Sequence, residues 1–249
     1  MIRGLYTACS GMLLQAARQD VIANNVANAG TAGFRRDDVV CSSFPQLLMY
    51  RAGESGGSRV APIGKLGTGA AVTMTRTDSS AGLLQRTERG LDVAIGGAGY
   101  LVLQTPGGSL FTRDGALQVG ADGFLQNRQG YPVLGDKGPI AVGAGEVAID
   151  AEGVVTVDGK PAGKLRVVTL PQPAQLRKVG GNALAADQAA VEEVAHPNLM
   201  AGYLEASNVN AVREMVDLIA VLRAYEANQK VVQAHDHTLE AAVNRVGAL

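Results

Sequence analysis

The hydrophobic periodicity of this chain changes twice, and nothing else in the sequence constrains the fold as strongly. Ile2, Leu5, Cys9, Met12, Ala16, Ala23 and Val26 recur at alternating steps of three and four, with Gln19 the polar exception. Residues so spaced share one face of an α-helix, in the pattern of a coiled-coil seam. The run closes on Asn24, Asn25, Asn28 and Gly30, types that favour helix termination. From residue 212 onward the helical period returns. Met215, Leu218, Leu222, Tyr225, Val232, Leu239, Val243 and Val246 form a second seam, broken by Gln229 and Asp236. Asn208 or Asn210 is suited to cap its first turn. At 1.5 Å per residue this helix would run about 50 Å.

Between roughly residues 60 and 196 the helical period is absent. Short β-branched or alternating runs take its place, separated by glycine turns, and most of the 32 glycines lie there. Runs at 92–95 and 100–104 flank Gly96-Gly97-Ala98-Gly99. Runs at 116–119 and 124–127 flank Ala121-Asp122-Gly123. Runs at 147–150 and 154–157 flank Ala151-Glu152-Gly153, with Asp158-Gly159 directly after, and 165–170 is a further strand. Asp-Gly between such runs is a hairpin signal. The expected fold is therefore mainly β with terminal helices: a hairpin-rich antiparallel β domain flanked by long N- and C-terminal α-helices. The expected ranges are an N-terminal helix segment at 1–34, an extended linker at 35–75, the β domain at 76–200 and a C-terminal helix segment at 201–249. The two apolar seams either cover each other within one chain or meet other subunits. A long seam at each end of one chain favours the second, a tube of packed helices with β domains outside.

Composition narrows the function. The chain has 249 residues, enough to bury a sizeable core, and a net charge of -1, which gives no electrostatic basis for binding nucleic acid or an anionic membrane. Aromatic residues are 4% and Trp is absent, which disfavours a small-ligand site. The two cysteines, Cys9 and Cys41, form no C-x-x-C pair, and Cys9 is expected to be a small buried hydrophobe. No apolar run reaches the length of a membrane span, and residues 1–10 lack the pattern of a secretory leader.

Motifs for chemistry are weak. His235 and His237 lie two apart, so on a helix their rings diverge, and a solvated face is expected for His235-Asp236-His237. Gly96-Gly97-Ala98-Gly99 and Gly64-Lys65-Leu66-Gly67-Thr68-Gly69 lack the following helix that a phosphate loop needs. Ser10-Gly11 sits on a helix, outside any nucleophile elbow. Thr112-Arg113-Asp114-Gly115 fits a turn with a local ion pair. No carboxylates are paired by sequence as an acid and a base. The expectation is no catalytic residue, no cofactor and no metal.

Three separated blocks carry a resemblance. The first is Ser10-Gly11-Met12, then 20–28 (Asp-Val-Ile-Ala-Asn-Asn-Val-Ala-Asn), then Thr31-Ala32-Gly33-Phe34. The second is 91–100 (Leu-Asp-Val-Ala-Ile-Gly-Gly-Ala-Gly-Tyr), Thr105-Pro106, Phe111-Thr112-Arg113-Asp114-Gly115 and 130–135 (Gly-Tyr-Pro-Val-Leu-Gly). The third is 202–210 (Gly-Tyr-Leu-Glu-Ala-Ser-Asn-Val-Asn), Glu214-Met215-Val216 and 223–228 (Arg-Ala-Tyr-Glu-Ala-Asn). Together, in this order, they resemble the flagellar basal-body rod protein family. Tyr100 departs from a common Phe, and Ala201 from a frequent Gln.

The resemblance implies a structural subunit of the bacterial flagellar rod that supports motility. It implies export by the flagellar type III apparatus without a cleaved signal, a place in the cell envelope outside the cytoplasm, and partners among copies of itself and other rod or hook subunits. Gly138-Pro139-Ile140 and Phe44-Pro45 look more like the proximal-rod branch. Distal-rod and hook-type axial proteins are the alternatives within the family, and a soluble ligand-binding or enzymatic β protein is the alternative outside it. Subunit contacts are expected at Ile2, Leu5, Met12, Ile22, Met215, Leu218, Leu222, Tyr225, Val232 and Leu239. Asn24, Asn25, Asn28, Asn208 and Asn210 are expected to fix subunit register.

Overall fold

The computed structural model describes residues 2–51, 61–170, 177–186, 191–194 and 196–246. The chain divides into two compact units, one built from Met1–Val26, Asp37–Arg76 and Asn210–Leu249, the other from Ala27–Arg36 and Thr77–Val209. The fold is mostly β, with one long helix near each end and antiparallel pairing in its sheets.

The first unit holds both helices. Helix α1 covers Ile2–Ala27 and helix α2 covers Ala211–Ala241, the latter continuing as a π-helical turn over Ala242–Val246. Asn210 is the cap of α2: its backbone is extended and its side-chain oxygen accepts from the Arg213 N–H at 3.1 Å. Strand Leu47–Arg51 pairs antiparallel with Ala61–Leu66, and strand Asp37–Ser43 pairs with Ala70–Thr77. Leu47, Leu48, Tyr50 and Ile63 of these ribbons are exposed.

The second unit is centred on a six-stranded antiparallel sheet. Its order is Arg177–Gly180, Ala183–Ala185, Gly108–Thr112, Tyr100–Thr105, Val167–Thr169, Glu192–Glu193. Strand Tyr100–Thr105 lies inside this sheet and is buried on both faces. Leu101 and Leu103 join one apolar cluster, with Val93, Leu117, Leu125, Val133, Leu165 and Leu199. Val102 points the other way, into a smaller cluster with Phe111, Val168, Leu170 and Leu184. That is the two-residue period of a pleated strand.

Several local readings of the sequence hold and one does not. Gln118–Val119 pairs with Leu125–Gln126, and Val147–Ile149 with Val154–Val157, across their glycine turns. Asp158 and Gly159, both at positive φ (49° and 76°), turn the chain into the third strand, Lys160–Lys164. This is the mirror-image turn that matches strand twist. The strands flanking Gly96-Gly97-Ala98-Gly99, however, do not pair with each other. Val93–Ile95 pairs with Leu199–Ala201, while Tyr100–Thr105 lies in the six-stranded sheet. The glycine segment passes between sheets, and a Cβ on Gly99 would stand 2.8 Å from a Val167 methyl.

Leu103 is fully buried in the larger cluster. Replacing it with Ala removes transfer free energy and leaves a cavity, so Leu103→Ala should cost about 2–5 kcal/mol in urea unfolding. A cost well under about 1 kcal/mol would contradict close packing around this strand.

Candidate assembly surfaces

Within the first unit α1 and α2 run antiparallel, and small and polar residues bring them together. A Cβ on Gly4 would stand 2.4 Å from His235 Nε2, and one on Gly11 would stand 3.0 Å from Asn228 Nδ2. Asn25 Nδ2 donates to Glu214 Oε2 at 3.2 Å. The paired numbers rise on α1 as they fall on α2, and successive layers keep heptad spacing on both helices. On α2 the less exposed positions follow the same heptads: Glu214 and Val221 are buried, and Leu218, Tyr225, Asn228, Val232, His235 and Leu239 are half-buried.

The last of these layers is the most tightly bonded. Asn25 is 1% exposed and Glu214 is 3% exposed. Asn25 Nδ2 also donates to the Asp37 carbonyl at 2.9 Å, and its Oδ1 accepts from the Asp37 N–H at 3.0 Å. One amide thus engages the backbone at the start of a strand and a buried carboxylate on α2. Both halves of the amide are needed, because an unpaired polar group in such a site costs its full desolvation.

A helix pair built on small and polar layers leaves apolar residues outside it. Val212, Met215, Val216, Ile219 and Leu222 all lie exposed on the first turns of α2, at spacings that place them on one face. On α1, Tyr6 and Leu13 are exposed, one heptad apart. Of the residues expected at subunit contacts, Met215 and Leu222 fall on this open face. Leu218, Tyr225, Val232 and Leu239 are half-buried along α2's own seam, and Leu5, Met12 and Ile22 are half-buried on α1. The side chain of Ile2 lies outside the described residues.

Two sequence readings of the helices are corrected here. Cys9 is exposed rather than buried, because the buried positions of α1 are Ala8 and Asn25, and a seam that includes Gly4 and Gly11 is rotated away from Cys9. His235 is half-buried against Gly4 rather than solvated, while Asp236 and His237 are exposed.

The second unit contains a charge cluster that sequence reasoning missed. Arg35 Nη2 lies 2.7 Å from Glu205 Oε1, and Arg113 Nη1 lies 2.8 Å from Glu205 Oε2. All three side chains are more than nine-tenths buried. Arg113 Nε donates to the Gly99 carbonyl at 2.9 Å and Nη2 donates to the Gly97 carbonyl, so the glycine segment supplies its remaining acceptors. Arg35 Nη1 donates to the Ser80 carbonyl, and the Gly82 N–H donates to Glu205 Oε1 at 2.8 Å. Burial pulls the Arg35 guanidinium below its ordinary value, and the Glu205 carboxylate opposes that shift. The ion pair expected inside Thr112-Arg113-Asp114-Gly115 is replaced by this one, since Asp114 turns its carboxylate to the Ala116 N–H at 3.0 Å. Each block of the resemblance contributes one member or its neighbour: Phe34-Arg35, Arg113 and Glu205.

Backbone bonds accompany the charges. The Gly33 N–H donates to the Glu205 carbonyl at 2.7 Å, and the Asn208 N–H to the Phe34 carbonyl at 3.4 Å. Asn208 Oδ1 accepts from the Arg36 N–H at 2.7 Å, and its Nδ2 donates to the Asp78 carbonyl at 3.2 Å. Lys178 Nζ donates to the Arg35 carbonyl at 2.6 Å and lies 4.2 Å from the centre of the Phe34 ring. Gly33 has φ of +66°, and a Cβ there would stand 2.5 Å from the Arg113 carbonyl, so only glycine passes. Asn208 is therefore a bridge between two chain segments, and the cap of α2 belongs to Asn210. Asn28 Oδ1 accepts from the Thr31 hydroxyl at 3.3 Å, in the turn that follows α1.

Comparison with known proteins gives one consistent result. Three family profiles match: "Flagella basal body rod protein" over residues 5–35, "Flagellar hook protein FlgE/F/G D1 domain" over 94–157, and "Flagellar basal body rod FlgEFG protein C-terminal" over 200–245. The chain is 32% identical to the flagellar basal-body rod protein FlgG of Buchnera aphidicola subsp. Schizaphis graminum, across 96% of this chain and 98% of that one. It is 32% identical to the flagellar basal-body rod protein FlgF of Rhizobium meliloti, across 99% of both chains. The FlgG of Caulobacter vibrioides is also 32% identical, across 96% of this chain and 98% of that one.

Asn25→Leu removes the amide while keeping its bulk. It removes three hydrogen bonds, to Glu214 Oε2, the Asp37 carbonyl and the Asp37 N–H, each worth about 0.5–1.5 kcal/mol. The helical circular-dichroism signal should melt at lower temperature than in the parent chain. An unchanged helical melt would show that the layer contributes nothing to the pair.

Proposed function

We propose that this chain, which belongs to the flagellar basal-body rod protein family, polymerises into the rod through the open apolar face of α2. Proteins of this family are structural parts of the flagellum, and the chain is not an enzyme. No helix among the described residues is long and apolar enough to cross a membrane.

The observation that carries the proposal is the contrast between the two sides of α2. Its inner layers are satisfied by glycine, amide and carboxylate groups of the same chain. Its outer face presents Val212, Met215, Val216, Ile219 and Leu222 to solvent. Contiguous apolar residues on a helix mark a surface that buries against something, and each such side chain contributes roughly 1.5–3 kcal/mol when buried. A neighbouring subunit's helices are the partner that suits a rod, and head-to-tail contacts that do not close generate a helical tube. Tyr6 and Leu13 of α1 extend the proposed contact. Delivery by the flagellar type III export apparatus, with assembly outside the cytoplasm, belongs to the same proposal.

Within the rod we assign the chain to the proximal, FlgF-like branch on Gly138-Pro139-Ile140 and Phe44-Pro45. The distal, FlgG-like branch is the second reading, favoured by relatives named FlgG at the same identity as the FlgF relative. Labelled electron microscopy of hook-basal bodies separates them. A label low in the rod supports the first, and a label next to the hook overturns it in favour of the second.

Ile219→Asp places a charge at the centre of the open face. An exposed site tolerates it, so urea unfolding of the purified chain should shift by no more than about 0.5 kcal/mol. Cells carrying it should lose swimming, and their basal bodies should lack the subunit. Normal motility would contradict the proposed contact.

A further inference from the structure

Glu205 neutralises two guanidinium groups at once, with all three side chains more than nine-tenths buried. Like charges in such a place repel with little screening, and an unpaired buried charge is far more costly than a paired one. The charge of Arg113 already works against that of Arg35. Glu205 is the one charged group bonded to the two arginines, whose other acceptors are the neutral carbonyls of Ser80, Gly97 and Gly99, while the Asp78 carboxylate acts on Arg35 from farther off.

The apolar core touches this site only at its edge, through Ile95 and the Tyr100 ring beneath Arg113. Neither buried cluster of the β unit includes Phe34 or Leu204. The segment from Thr31 to Arg36 is held instead by polar bonds, to Glu205, Asn208, Lys178 and Asn182. Strand Tyr203–Glu205 pairs with Leu84–Arg86 and carries the carboxylate in.

We propose that Arg35, Arg113 and Glu205 form a charge-gated clasp. The segment 31–36 docks only when strand Tyr203–Glu205 has delivered its carboxylate, so the chain that follows α1 and the chain that precedes α2 close on the β core together. The core itself forms without them. Glu205 then acts as a positioning residue for both segments, through its charge rather than its bulk.

Residue-resolved hydrogen exchange on the full-length chain tests this. Glu205→Gln keeps shape and removes charge. The amides of Gly33 and Asn208, which bond across the clasp, should exchange roughly a hundredfold faster or more, while those of Val102 and Leu103 keep their protection. Arg35→Met/Glu205→Gln removes the repulsion as well, and should restore at least about tenfold of the lost protection. Unchanged exchange at Gly33 and Asn208 in Glu205→Gln would overturn the clasp. So would equal loss at Leu103, which would make the charge part of the core's own stability. A double variant no better than the single one would overturn the gating by repulsion.

Discussion

A single buried carboxylate, Glu205, ties together the parts of the β unit that lie farthest apart in sequence. Its two oxygens face Arg35 and Arg113, its backbone carbonyl accepts from Gly33, and its strand lies beside Leu84–Arg86. Removing one partner of such a cluster strands a charge without water, which is why its members have little freedom to change. The neighbouring constraints follow from it. Gly33 must lack a side chain because Arg113's backbone passes under it, and the glycines at 97 and 99 turn their carbonyls toward the Arg113 guanidinium.

The helix pair uses a different economy. Long apolar seams would be the obvious way to join α1 and α2, yet the layers seen are Gly4 with His235, Gly11 with Asn228, and Asn25 with Glu214. Glycine lets the helices approach closely, and the amide–carboxylate layer fixes register with little apolar area. Val212, Met215, Val216, Ile219 and Leu222 stay exposed outside the pair, while Leu218, Val221, Tyr225, Val232 and Leu239 lie along α2's inner seam. The proposed polymerisation would use this division, since a helix that spent its whole apolar surface on its own partner would have none for a neighbour.

The sequence made the architecture legible where periodicity is strong. Both helices, the Asp-Gly turns and the antiparallel β middle follow from spacing and turn chemistry, and the family follows from three ordered blocks. It was less informative wherever contacts are long-range. Arg113 looked like a partner for Asp114 because the two are adjacent, and its true partner, Glu205, is distant in sequence. Cys9 lies on the stripe with the higher apolar count, yet the glycines at 4 and 11 set the actual seam and leave Cys9 exposed. The glycine segment at 96–99 read as a turn between strands, and only the pairing of Val93–Ile95 with Leu199–Ala201 shows that it crosses between sheets. Charge alone does not single out Arg35, Arg113 and Glu205, because the same blocks also hold Asp20, Asp92, Asp114, Glu214, Arg223 and Glu226.

The measurement that bears most directly on the assembly account is a cryo-electron microscopy reconstruction of the rod resolving side chains on α2. Val212, Met215, Val216, Ile219 and Leu222 should be covered by helices of neighbouring subunits, with the Asn25–Glu214 layer intact inside each chain. A rod in which that face still looks onto solvent, or in which the two helices separate to pair with different neighbours, would contradict it.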